Sequence, residues 1–174
     1  MKINLGCGNK VRPGFVGVDR TFCAAARVVC DLDRPLPFRE SSIDEAHLDN
    51  VIEHVADIAQ LMRELVRVSK RGGVLTILTP HFSSLASWRD PTHRYHLSYF
   101  SMDHFEGKYL RDDLNGRVVV SKRRLSFGGG LLGILGRLCF ALSPEFYEQK
   151  VCFVFRASTL RFELRVEKDA DPPG

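Results

Sequence analysis

The stretch that decides the fold lies at the start of the chain and reads Lys2-Ile3-Asn4-Leu5-Gly6-Cys7-Gly8-Asn9-Lys10. Its apolar part predicts a short strand, which Gly6 and Gly8 then break. Glycine is needed where a backbone turns through positive φ or lies against a ligand, because it has no Cβ. A second apolar run follows and ends in Asp19. This order is typical of a nucleotide pocket in an open α/β sheet, where the acidic residue accepts hydrogen bonds from ribose hydroxyls.

The connection between these two strands restricts the ligand. The dinucleotide fingerprint requires a third glycine three residues after the second, and Val11 stands at that position. Only five residues separate Gly8 from Gly14, and Pro13 is among them. We therefore predict a loop instead of a helix at this crossover, and no pyrophosphate on a helix N-terminus. The expected ligand is a nucleoside without a diphosphate.

The bulk properties predict one cytoplasmic globular domain. The chain has 174 residues, which suits a single core, so we assign residues 1–168 to one domain and 169–174 to a disordered tail. A net charge of +4 is too small to require a nucleic-acid partner. The five cysteines include no CxxC pair, which fits a reducing compartment. We see no leader, and the apolar stretch 131–142 is too short to span a bilayer.

Strands and helices are predicted to alternate along the rest of the chain. Asp57 and Gln60 resemble a capping box, and an apolar stripe follows at helical spacing, with Gly72 and Gly73 expected to end the helix. The other elements are strands at 26–30, 43–48, 74–79, 117–127 and 160–166, and an apolar helix at 131–142.

Four of the predicted strands end in glycine or in a polar residue, namely Gly6, Asp19, Asp31 and Asn50. In a parallel sheet the carboxyl ends of the strands meet at one edge, and ligands bind there. We therefore expect these four residues to converge on one site.

Five motifs, in this order, resemble class I S-adenosylmethionine-dependent methyltransferases, in particular the small group built on a methyltransferase type 11 domain. They are Leu5-Gly6-Cys7-Gly8, Gly17-Val18-Asp19, Asp31-Leu32 before Leu36-Pro37-Phe38, Val51-Ile52-Glu53-His54, and Glu64-Leu65-Val66-Arg67-Val68 before Gly72-Gly73-Val74. The resemblance covers about the first half of the chain. It implies an α/β, Rossmann-like fold: a mostly parallel seven-stranded sheet with an antiparallel last strand, flanked by helices. The nearly absent first helix departs from the family pattern.

The resemblance also implies S-adenosyl-L-methionine as cofactor and assigns residues to it. The turn of Gly6, Cys7 and Gly8 is expected against the methionine part, and Asp19 is expected on the ribose hydroxyls. Asp31 and Leu32 are expected to flank the adenine. Asn50 is expected to face the methyl-transfer centre.

Candidate catalytic residues come from the histidine-rich segment 81–104, which follows the strand at 74–79. A histidine can deprotonate an acceptor, because its ordinary pKa lies near neutrality, and we select His81 and His93. The alternative is that these histidines tie down a loop through hydrogen bonds. We predict no metal site, because His93 and His96 have i, i+3 spacing and no cysteine or close carboxylate pair completes a ligand set.

The second half of the chain is expected to build the acceptor pocket, from insertions at 81–115 and 128–157. The acceptor is predicted to be a small molecule or a glycan- or lipid-linked intermediate. The helix at 131–142 is open to two interpretations: a core or lid helix, or an interfacial helix for a dimer, a peripheral membrane contact or a lipid-like acceptor.

Two other functions remain as alternatives. Base methylases of this fold carry an Asn- or Asp-Pro-Pro-aromatic motif, where this chain has Asp49-Asn50-Val51-Ile52, so nucleic acid is not the expected substrate. A non-catalytic module that binds the cofactor or a partner is the other alternative.

Overall fold

The computed structural model describes residues 1–106 and 118–168. They form one seven-stranded sheet in the order β3-β2-β1-β4-β5-β7-β6. The strands are β1 (Lys2–Leu5), β2 (Val16–Asp19), β3 (Ala26–Val29), β4 (Ile43–Asp49), β5 (Ser69–Pro80), β6 (Val118–Phe127) and β7 (Ala157–Val166). Strands β1 to β5 pair in parallel, whereas β7 is antiparallel to both β5 and β6. The predicted α/β sheet with its antiparallel last strand is confirmed.

The helices lie between the strands. They are α1 (Ile58–Val68), α2 (Leu85–Arg89), α3 (Gly130–Leu142) and α4 (Pro144–Phe146). Short 3-10 turns occupy Ile52–His54 and Ser101–Glu106, and a π-helical turn occupies Tyr147–Val151. No helix lies between β1 and β2, where the sequence predicts a loop.

Helix α1 begins as predicted but ends earlier than predicted. The Asp57 side chain accepts a hydrogen bond from the backbone N–H of Gln60. Its apolar stripe is buried against the sheet. We expected Gly72 and Gly73 to end the helix, and this was wrong, because β5 already begins at Ser69. The carbonyls of the last helical turn are taken by backbone N–H groups of Ser41 and Ser42, a tertiary contact that local sequence does not reveal.

Strand β7 pairs with the edge of β5 opposite to β4 and adds buried side chains to the core. Its residues Leu160, Phe162, Leu164 and Val166 are all fully buried, as their alternation predicts. Because β7 also lies between β5 and β6, it connects the second half of the chain to the sheet.

Helix α3 presents most of its leucine and isoleucine side chains to solvent, whereas Cys139 and Phe140 pack against the buried Tyr147. The residues buried on this helix are Gly133 and Gly136, and its exposed residues include Leu131, Leu132, Ile134, Leu138 and Leu142. The helix is therefore not a core helix, although its composition suggests one. No helix among the described residues, α3 included, is long and apolar enough to cross a membrane.

Candidate functional site

The carboxyl ends of β1 to β4 border a cleft of about 710 Å³, a volume within the usual range for small-molecule sites. Five of the seven residues predicted to bind cofactor line this cleft: Gly6, Asp19, Asp31, Leu32 and Asn50. They come from four separate strand ends. Cys7 and Gly8 line a neighbouring hollow of about 410 Å³, which Gly6 also borders.

Gly6 ends β1 in a conformation that a larger residue would not tolerate. Its φ is 60°, in the left-handed region. A Cβ at this position would overlap the Cγ2 atom of Val51, which is buried and also lines the cleft. The absence of a side chain here keeps the floor of the cleft open to a ligand.

Asp19 ends β2, and backbone N–H groups hold its carboxylate. Oδ2 accepts from Gly8 at 2.8 Å, and Oδ1 accepts from Thr21 at 3.2 Å. Burial alone would raise the pKa of this carboxyl group, but hydrogen bonds from the backbone of Gly8, Thr21 and Arg20 outweigh burial and hold the pKa below its ordinary value. Oδ1 also accepts from the Thr21 hydroxyl at 3.4 Å. Asp19 is therefore an ionised acceptor in the cleft, and its Oδ2, which accepts from Gly8, keeps a lone pair for a ligand hydroxyl.

Asn50 follows β4 in a left-handed conformation, with φ at 55°. Asparagine tolerates this region better than most residues. Its backbone N–H donates to the carbonyl of Leu78 at 3.0 Å, and its Nδ2 donates to Asp49 at 2.8 Å. This turn leads from β4 to the 3-10 turn that contains His54, and both Asn50 and His54 line the cleft.

The segment after β3, which carries Asp31 and Leu32, is held by α1 and by the residues just before it. The carboxylate of Asp33 accepts from the backbone of Ala56 at 2.6 Å. Further along, Glu64 accepts from the backbone N–H of Leu36 at 2.7 Å, and Arg67 donates to the carbonyls of Leu36 and Phe38. The Arg67 side chain lowers the pKa of Glu64 through a hydrogen bond, so this carboxyl group is ionised. The pair fixes the predicted adenine side of the cleft.

Replacing Arg67 by alanine is expected to lower the free energy of unfolding by about 1–2 kcal/mol, because two loop carbonyls and Glu64 lose a charged donor at a partly exposed position. Cofactor affinity should fall with it, since the loop also positions Asp31. Chemical denaturation measures the first effect. Arg63→Ala, on the same helix and in a long ion pair with Asp57 at 4.0 Å, is the control and should change stability by no more than about 0.5 kcal/mol. Equal stability of the two variants would contradict this role.

Cys7 lies beneath the glycine turn, apart from the cleft. Its sulfur packs with Ala25, Ala26 and Cys23. Burial and the neighbouring Cys23 raise the pKa of the Cys7 thiol to about 11, so it stays protonated at neutral pH. Contact of Cys7 with the cofactor remains a prediction. In the structure its side chain packs against Ala25 and Ala26, and its backbone forms part of the glycine turn.

His81 is fully buried and has partners on both ring nitrogens. Nδ1 lies 2.8 Å from the hydroxyl of Ser83, and Nε2 lies 2.9 Å from Glu148. Glu148 also accepts from the backbone N–H of Tyr99 at 2.6 Å. His81 thus joins the segment after β5 to the segment between β6 and β7, and it does not line the cleft. Its catalytic role remains a prediction.

His93 lies beside residues that sequence analysis did not select. Its ring is in edge contact with that of His54, with centroids 4.6 Å apart. One ring nitrogen of each histidine and one carboxylate oxygen of Glu53 lie within 4.8 Å of one another. Sequence analysis did not select His54, and it compared His93 only with His96. The signal that could have found the cluster was the adjacent pair Glu53-His54, which lies in the 3-10 turn after β4.

Two further residues of the cleft, Thr92 and Arg94, were also not selected. The backbone N–H of Arg94 donates to the carbonyl of Glu53 at 2.8 Å, which fixes the segment 91–94 against the turn after β4. This long-range contact forms one wall of the cleft.

Comparison with known proteins agrees with the fold. The family described as "Methyltransferase domain" matches residues 5–77, which run from the end of β1 into β5. An S-adenosylmethionine-dependent methyltransferase from Archaeoglobus fulgidus superposes with a TM-score of 0.63 over 94% of this chain and 85% of its own, at 15% identity. The [4+2]-cyclase SpnF superposes with a TM-score of 0.64 over 97% of this chain and 74% of its own, at 13% identity.

A sequence relative is similar over a short stretch. An uncharacterized 37.1 kDa protein in a transposon, TN4556, of Streptomyces fradiae is 46% identical over 50 residues, which is 29% of this chain and 14% of that protein. The chain therefore matches only a small part of this relative. Residues 5–77 thus match a methyltransferase domain family, and the described chain has the fold of class I S-adenosylmethionine-dependent methyltransferases. S-adenosylmethionine is the cofactor that this class implies.

Proposed function

We propose that the chain transfers a methyl group from S-adenosylmethionine to a small molecule or to a glycan- or lipid-linked acceptor. The observation that carries the proposal is Asp19, an ionised carboxylate at a strand end that lines the cleft and whose Oδ2 accepts from Gly8 and has room for a second donor. A ribose diol is the ligand group that such an acceptor suits. The glycine at position 6 and the loop crossover fit an adenosyl group that lacks a diphosphate.

The residues of the chain have separate roles in this proposal. Asp19 binds the ribose, Asp31 and Leu32 border the adenine, and Asn50 faces the reacting centre. The cofactor supplies a methyl group on a sulfonium, which is already an activated leaving group. The protein therefore has mainly to place the acceptor in line and to exclude water. His93 is proposed as the residue that takes a proton where the acceptor must lose one.

The acceptor side of the pocket is proposed to come from residues 81–115 and 128–157, within a single domain of residues 1–168. Support comes from Glu148, which binds both His81 and the backbone of Tyr99 and so holds the second segment against the first. Residues 107–117 of the first segment, and the predicted tail 169–174, lie outside the described residues. The exposed leucines of α3 support contact of helix 131–142 with a lipid surface or a second copy. The free cysteines support a cytoplasmic location.

Turnover tests the proposal. The full chain is incubated with S-adenosylmethionine and a panel of small hydroxyl, amine and carboxyl acceptors, lipid-linked glycans and nucleic acids, and S-adenosylhomocysteine is quantified. We expect product with a member of the first two groups and none with nucleic acid. Cofactor binding without turnover on any acceptor would favour the second candidate, a non-catalytic module. The likeness to a [4+2]-cyclase, a catalyst of another reaction, is a reason to measure turnover, because the fold alone does not fix methyl transfer.

A further inference from the structure

We infer that Glu53, His54 and His93 form a binding site for one first-row divalent transition-metal ion at the border of the cleft. Two histidines and one carboxylate are a common ligand set for such ions. The three ligand atoms lie within 4.8 Å of one another, so small side-chain rotations bring them to one ion.

Glu53 provides the first independent observation. The residue is 1% exposed. Its Oε2 accepts from the hydroxyl of Thr79 at 3.0 Å, but its Oε1 is buried without a hydrogen-bond partner in the structure. A buried carboxylate oxygen without a partner is costly, so such atoms usually bind something. A cation beside the two histidines would satisfy it.

The hydrogen bonds of the two histidines provide the second observation. The Nδ1 atom of His93 lies 2.9 Å from the carbonyl of Ser87, which can only accept, so Nδ1 carries the proton. The Thr92 hydroxyl donates to Asp90 at 2.7 Å and therefore accepts from Nδ1 of His54 at 3.0 Å. Both rings thus keep a lone pair on Nε2. A partner that holds the other ring nitrogen is the usual support of a metal-binding histidine.

The position of the site relates it to the cleft. His54 and Thr92 both line the cleft, and Glu53 follows the turn of Asn50. The three protein ligands leave coordination positions for water or for an oxygen of the acceptor. This last role depends on the proposed function, and with the ion bound it replaces the proposed proton-accepting role of His93, because the ion takes the Nε2 lone pair. Binding of the ion itself does not depend on the proposed function.

Cobalt(II) titration tests the inference in the absence of S-adenosylmethionine, so that methyl transfer and cofactor binding do not affect the result. Tag-free protein is stripped with a chelator, titrated with Co²⁺, and followed by visible absorption and metal analysis. We expect one saturable Co²⁺ per chain, displaced by Zn²⁺. Glu53→Gln and His93→Gln should each lower the affinity about 100-fold, and Thr92→Val about 10-fold through the orientation of His54.

Controls separate this site from others. Cys7, Asp19 and Cys23 form the other candidate ligand group in residues 1–106 and 118–168, so Cys23→Ser should leave the Co²⁺ affinity unchanged. His104→Gln, at an exposed histidine outside the cluster, should also leave it unchanged. Circular dichroism checks that each variant folds, and His54→Gln, at a partly exposed position, replaces any variant that does not. Absence of saturable binding, or unchanged affinity in His93→Gln or His54→Gln, would overturn the inference.

Discussion

Replacement of Asp19 by alanine is expected to weaken binding of S-adenosylmethionine about 10- to 150-fold, the effect of losing a charged hydrogen-bond acceptor worth about 1.5–3 kcal/mol. The carboxylate is ionised and faces the cleft, and no other described side chain at the end of β2 replaces it. Isothermal titration calorimetry measures the change.

The matched control is Asp44→Ala. Asp44 also lies on a strand of the sheet, but at the amino end of β4, where it pairs with Lys70. This variant should bind the cofactor like wild type. Asp19→Asn removes the charge with little change in shape. Its affinity for S-adenosylmethionine should lie between those of Asp19→Ala and wild type. Equal affinity of wild type and Asp19→Ala would remove the ribose role from Asp19.

The second large effect is expected for Gly6→Ala, which should destabilise the fold by about 2–4 kcal/mol. About 1–2 kcal/mol comes from the left-handed backbone, and the rest from overlap of the new methyl group with Val51. Because Val51 also lines the cleft, we expect cofactor affinity to fall as well. Denaturant unfolding and calorimetry measure the two effects.

Gly8→Ala is a close control, since Gly8 has φ at 51° in the same loop and has open space where a Cβ would lie. Gly8→Ala should lose only about 1–2 kcal/mol of folding stability, the part that comes from the left-handed backbone. Val51→Ala in combination with Gly6→Ala should recover part of the difference, because it removes the overlapping methyl groups. If Gly6→Ala and Gly8→Ala have equal free energies of unfolding, the contact with Val51 is not the reason that position 6 requires glycine.

The sequence was informative where one local pattern determines one structural outcome. Apolar runs with polar ends placed the strands, and the parallel order of β1 to β5 then brought Gly6, Asp19, Asp31 and Asn50 to one edge. The capping box of Asp57 predicted the start of α1, because the cap depends on residues within one turn.

Other features depended on contacts between distant segments. The end of α1 is set by Ser41 and Ser42, and Cys7 is directed away from the cleft by the turn around it. The cluster of Glu53, His54 and His93 forms because the backbone of Arg94 binds the carbonyl of Glu53. Helix α3 was open to two interpretations for another reason, since its composition suits a core helix whereas its buried residues in the fold are Gly133 and Gly136.

The central claim is that the strand ends on one edge of the sheet hold an adenosyl group beside its sulfur. A crystal structure of the chain with S-adenosylhomocysteine tests it most directly. The account predicts the ribose hydroxyls within hydrogen-bond distance of the Asp19 carboxylate, the adenine beside Leu32 and the sulfur next to Asn50. A ligand bound elsewhere, or a Gly6 turn closed over by side chains in the complex, would contradict it.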